Sequence, residues 1–186
     1  MLSLGMIFGI SGCSIEMSQT TGITPSPRVA SASPIHWADL NLKGRLVYIS
    51  VTKSGGNSVL SIQALNLATG EVTTIFTAPE NSWIYYVTVS PDGSQLVMSY
   101  LPPSQGNNLG IQALYLMPLD GSKPPQLLIT PPTQYDQYIQ VEWSPDGKDI
   151  YFVHNNYHEH EAGQYFPVYE IFRMAYPDGQ PEKNCK

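Results

Sequence analysis

From residue 36 onward, apolar and polar positions alternate in short stretches broken by turn residues. In the stretch ending at Trp143, Ile139, Val141 and Trp143 fall on one face and Tyr138, Gln140 and Glu142 on the other. That period of two predicts a strand. Tyr85, Val87 and Val89 repeat the pattern upstream. Ser-Pro-Asp-Gly follows both stretches, at Ser90–Gly93 and Ser144–Gly147. Proline presets φ near −65° at the second turn position, aspartate bonds its own backbone, and glycine takes positive φ. Pro91, Asp92, Gly93, Pro145, Asp146 and Gly147 are therefore expected to be structural turn residues, with no catalytic role for either aspartate.

The two stretches belong to longer units. Val87-Thr88-Val89-Ser90-Pro91-Asp92-Gly93 and Val141-Glu142-Trp143-Ser144-Pro145-Asp146-Gly147 match at an offset of 54 residues, and Ile62-Gln63-Ala64-Leu65 recurs as Ile111-Gln112-Ala113-Leu114 at an offset of 49. Two unrelated matches at similar spacing imply duplication. Second strands are expected at Arg45–Val51, Gln95–Tyr100 and Asp149–His154. After a polar loop, third strands are expected at Leu60–Leu67, Ile111–Met117 and Tyr169–Met174, each ending at a turn that carries glycine. Fourth strands are expected at Val72–Thr77 and Gln126–Thr130. Each unit is thus one antiparallel meander of about 50 residues, and the fold class is all-β.

Ser-Pro-Asp-Gly before an apolar strand, a later strand ending near Asp-Gly, and a short closing strand together resemble the TolB-type β-propeller repeat, a relative of the tryptophan-aspartate repeat. The resemblance covers Trp37 to about Asn184. It implies four-stranded blades at about 36–80, 81–134 and 135–186. The first unit departs from it, with Asn41-Leu42-Lys43-Gly44 in place of Ser-Pro-Asp-Gly. Closed propellers have about four to eight blades. Roughly three blades therefore imply an incomplete propeller: a fragment of a longer frame, or a chain that closes a ring by oligomerising.

Before the repeats, Leu2–Ile10 is an apolar run too short for a bilayer, which needs about 20 residues. It leads into Ser11-Gly12-Cys13. This resembles a bacterial lipobox, which implies a signal segment at 1–13, lipidation of Cys13 and an extracytoplasmic, membrane-anchored location in the periplasm or at the cell surface. The positive flank of that signal is reduced to the α-amino group. The alternative is a buried strand holding an ordinary cysteine. Residues 14–35 are rich in Ser, Thr and Pro and read as a flexible tether.

Composition narrows the function. Charged residues make up 13% of the chain, while Tyr (12) and Pro (16) are plentiful, which suits short strands and turns. Nine scattered Lys and Arg and a net charge of −6 offer no stripe for phosphates, so nucleic acid is not expected as a partner. Cys13 and Cys185 lie at opposite ends and match neither a metal cluster nor a redox pair. His154, His158 and His160, with Glu159 and Glu161, are candidate zinc donors in the third unit's long loop. Their spacing is not that of a helical HExxH site, and the competing assignment is a solvated polar loop. Tyr85, Tyr86, Tyr100, Tyr135, Tyr138, Tyr157 and Tyr165 are candidates either for a binding face or for blade packing.

The chain has no G-x-S-x-G elbow, P-loop or dinucleotide fingerprint. The expectation is a non-catalytic cell-envelope lipoprotein without a cofactor, whose blades bind a protein or glycan partner while a lipid anchor meets the membrane. Similar propellers also precede serine-peptidase domains of the prolyl oligopeptidase group. The alternative is therefore the propeller part of a lipid-anchored peptidase without its catalytic domain.

Overall fold

Both Ser-Pro-Asp-Gly segments fold as the same self-contained turn in the computed structural model, which describes residues 35–104, 110–160 and 164–184. In the first copy Gly93 N–H donates to Ser90 O (2.8 Å), Ser94 N–H donates to Asp92 Oδ1 (3.0 Å), and Gln95 N–H donates to Ser90 Oγ (2.9 Å). In the second, Gly147 N–H donates to Ser144 O (2.9 Å), Lys148 N–H to Asp146 Oδ1 (3.2 Å), and Asp149 N–H to Ser144 Oγ (2.9 Å). Gly93 and Gly147 have φ of 72° and 71°, which a side chain disfavours.

Each turn joins the first two strands of a four-stranded antiparallel sheet. The middle sheet runs in order β4 (Trp83–Val89), β5 (Gln95–Leu101), β6 (Ala113–Pro118), β7 (Gln126–Ile129). The last runs β8 (Gln137–Trp143), β9 (Asp149–His160), β10 (Gln164–Ala175), β11 (Glu182–Lys183). The first holds three strands, β1 (Arg45–Ser54), β2 (Asn57–Asn66) and β3 (Val72–Thr77). Where its initial strand was expected, Trp37–Leu40 forms a 3-10 helix, closed by Asn41 at φ 50° donating to Ala38 O. Ala38, Leu40 and Leu42 alternate with polar residues but all stay exposed, so no buried face holds the segment as a strand, and Asn tolerates the left-handed conformation.

Two expected loops are regular structure. Gly55 and Gly56, at φ 56° and 89°, make a two-residue hairpin turn between Ser54 and Asn57, where a polar loop was anticipated. In the third unit the pairing of β9 with β10 continues from Asp149–Ala175 out to His160–Gln164, so His154 sits within a strand. The long loop expected there is a long hairpin.

The sheets pack face to face in chain order. Leu60, Ile62, Ile84, Leu96, Met98 and Tyr100 form the core between the first and second sheets. Val97, Leu114, Tyr138, Val141, Ile150, Phe152 and Met174 form the core between the second and third. The middle sheet is covered on both sides. Consequently β5 buries every residue from Leu96 to Tyr100, its even positions facing one neighbour and its odd positions the other. A strand buried on both faces loses the apolar-polar alternation of a half-exposed one.

β-Bulges shift the innermost strands. Gln140, at φ 47°, is the extra residue between Ile139 and Val141, so Tyr138 and Val141 are both buried although alternation put them on opposite faces. In β4 the break lies between Ile84 and Tyr86. Ile84 is buried, and Tyr85, expected on the face of Val87, is 40% exposed. Three such sheets, stacked through their inner strands and short of a closed ring, form an incomplete propeller.

Candidate functional site

The β3–β4 connection and the β1–β2 turn face each other across a cleft of about 520 Å³ between the first two blades. Its wall is set by local chemistry. Ser82 Oγ donates to Pro79 O (2.5 Å), and Asn81 takes φ 60°, which turns the chain sharply into β4. Trp83 and Tyr85, two residues apart, then project into the cleft, 43% and 40% exposed, with ring centroids 6.3 Å apart and planes at 53°. Asn57, Ser58, Glu80 and Asn81 supply the polar lining. Among the described residues of the lining Glu80 carries a formal charge, and Lys53 Nζ stands beside the lining, donating to Ser58 Oγ (2.8 Å).

A second cleft of about 470 Å³ lies at the turn end of blades two and three and holds Asp92, Asp146, Trp143 and Tyr176. Hydrogen bonds from the Ser90 side chain and from the Ser94 backbone and side chain hold Asp92 down at about 2. Asp146 is lowered in the same way, first by the Ser144 side chain and then by Lys148 N–H. Two carboxylates already committed to their own turns, and held ionised, are poor proton donors near neutral pH. Pro91, Asp92 and Gly93 lie in the turn between β4 and β5, and Pro145, Asp146 and Gly147 in the turn between β8 and β9.

His154 is buried rather than solvated. Its ring stands edge-on to Tyr138 and Phe172, with centroids 5.4 and 5.3 Å away, and Nε2 lies 3.7 Å from Asp136 Oδ2. Among the described residues no three His, Cys, Asp or Glu side chains gather as a metal site. The side chains of His158 and His160, with those of Tyr157 and Tyr165, lie outside the described residues, as do Cys13 and Cys185.

The remaining tyrosines divide. Tyr100 and Tyr138 are buried packing residues whose hydroxyls burial pushes upward, whereas Tyr85, Tyr86 and Tyr135 are exposed. The sequence reading missed Trp83, Glu80, Asn57 and Asn81. Trp83 begins β4 in a Trp-Ile-Tyr-Tyr run, and that density of aromatics was the available signal.

No family model matches the chain, and no curated protein matches it. Among solved structures it is similar to an oligogalacturonate lyase in complex with manganese, at 18% identity and a TM-score of 0.46, over 68% of this chain and 30% of that one. It is also similar to the tricorn protease, at 18% identity and a TM-score of 0.46, over 69% of this chain and 13% of that one. The chain thus spans less than a third of the length of either structure. Its assignment to propeller-type blades rests on its own sheet order and face-to-face packing.

Proposed function

We propose that the chain is a TolB-like lipoprotein of the bacterial cell envelope, anchored through an acylated Cys13 and using its blades as a non-catalytic scaffold that binds a protein or glycan partner. One observation carries this reading: the Trp83–Tyr85 pair stands exposed beside Glu80 and Asn81 in the cleft between two blades. Aromatic side chains bring large contact area and are enriched where binding energy concentrates. The clefts lie where loops from neighbouring rigid sheets converge, the usual arrangement for recognition on a fixed scaffold.

The test has two arms. Capture of partners from envelope extracts by the purified chain is expected to fall at least several-fold for Trp83→Ala. Metabolic labelling with a fatty-acid analogue is expected to mark the wild type and not Cys13→Ser, which should also leave the membrane fraction. Trp83-independent capture would remove the cleft from this proposal, and an unlabelled wild type would remove the anchor.

A further inference from the structure

The first and third sheets leave exposed the positions that the inner blade contacts bury, an observation independent of the partner-binding reading above. We propose that two copies of this chain join through these positions. The β9–β10 face of one copy packs on the β1–β2 face of the other, and a closed pair carries two such contacts.

One recurring hydrogen bond aligns the three sheets. Leu67 N–H donates to Gly44 O (3.0 Å), Leu119 N–H to Ser94 O (3.0 Å), and Tyr176 N–H to Lys148 O (2.7 Å). Counted back from the donor, the fifth and seventh residues are Ile62 and Leu60 in the first sheet, Leu114 and Gln112 in the second, and Ile171 and Tyr169 in the third. The first four are at most 4% exposed: Leu60 and Ile62 pack in the core against the second sheet, Leu114 packs in the core against the third, and Gln112 bonds Tyr138 O of the third. Ile171 and Tyr169, at the same two positions, are 56% and 62% exposed.

The opposite face follows the same alignment. The second residue after each acceptor pairs with the second before each donor: Leu46 with Leu65, Leu96 with Met117, and Ile150 with Met174. Leu96, Met117, Ile150 and Met174 are at most 2% exposed, within the cores shared with the preceding sheet. Leu46 is 52% exposed.

These matched positions identify the occupant. Both inner contacts join a face of the first kind to a face of the second, and among the described residues the chain leaves one of each open. A second copy supplies both counterparts at once, and burying exposed apolar area on both sides drives the association. Charge does not oppose it. Arg173, at the place of Ala64 and Leu116, pairs with Asp149 (3.0 Å), and on the β1–β2 face the Tyr48 hydroxyl is already bonded to Gln63 (2.8 Å). Two copies of three sheets give about six, within the roughly four to eight blades at which propellers close, whereas three copies give about nine.

Sedimentation equilibrium of the whole 186-residue chain over about 1–200 µM is expected to show a reversible two-copy species. Ile171→Lys and, separately, Leu46→Glu are each expected to raise its dissociation constant about tenfold or more. Below the wild-type dissociation constant, their melting temperatures should match that of the wild type. An equimolar mixture of the two variants is expected to restore the two-copy species, because one contact is then wild type and the other joins the introduced lysine to the introduced glutamate. Misfolded chains would not recover on mixing. A wild type that stays monomeric, association that either variant leaves unchanged, open-ended growth beyond two copies, or a mixture that stays dissociated would each overturn the proposal. None of these outcomes bears on capture of an envelope partner, which tests the earlier reading by itself.

Discussion

At the scale of single residues, the informative side chains are those whose polar atoms have few alternatives. Ser99 is fully buried; its Oγ donates to Tyr138 O (2.5 Å) and accepts from Gln112 Nε2 (2.8 Å), tying blade two to blade three. Ser99→Val keeps the approximate volume but strips both bonds, and is expected to cost about 1–3 kcal/mol in a urea melt. Asp92 makes a pH-dependent contribution. Its carboxyl falls from 3.8 to about 2 on folding, so the stability it adds is complete above about pH 4 and is lost as pH drops through 2. Carbon-13 titration of the carboxyl should place its midpoint near 2, and Asp92→Asn should flatten the acid limb of the stability curve. These turns were legible in the sequence because Ser-Pro-Asp-Gly is a local signal whose bonds close within five residues. Trp83 was not, because its role depends on a facing turn from another blade.

At the scale of elements, strands were legible where apolar residues met a turn signal. Val72–Thr77 was expected at the observed bounds, and Gln95–Tyr100 fell one residue short. Errors gathered where pairing with a neighbour, rather than the residue pattern, extends a strand: the far ends of β1 and β9 run on because their hairpin partners continue beside them. The bulge at Gln140 was invisible for a related reason. It is a register adjustment between strands, and alternation within one strand cannot report it. The buried cross-section of the third blade is nonetheless dense, with Phe152 within 4.7 Å of the Tyr138 ring and 5.9 Å of the Phe172 ring, centroid to centroid. Phe152→Ala is expected to cost about 3–5 kcal/mol, measured by thermal or chemical denaturation.

At the scale of the molecule, the outward faces of the terminal blades are the least finished parts. Tyr169 and Ile171 on β10 are 62% and 56% exposed, and β1 is the end strand of its sheet among the described residues. Apolar faces and unpaired strand edges promote association. Ile171→Lys is therefore expected to reduce self-association in light scattering while leaving the melting temperature within about 1–2 °C of wild type, since exposed substitutions change stability by roughly 0.5 kcal/mol or less. That the chain forms propeller-type blades was legible from two repeat offsets. That the first sheet has three strands among the described residues was only hinted at, by the missing Ser-Pro-Asp-Gly in the first unit.

The hydrogen bonds joining β4 to β8 carry one more consequence. Gln140 Nε2 donates to Tyr86 OH (3.1 Å), and Thr88 Oγ1 donates to Glu142 Oε2 (2.9 Å). Both pairs span 54 residues, the offset of the repeat itself, so each joins the two descendants of one ancestral position. Immediately after duplication such positions carried identical side chains. Two glutamates in the place of Thr88 and Glu142 would repel, and two threonines would leave no carboxylate to accept the bond. Divergence at these positions therefore supplies the donor on one strand and the acceptor on the other. It makes the sister blades unequal at the places where they touch.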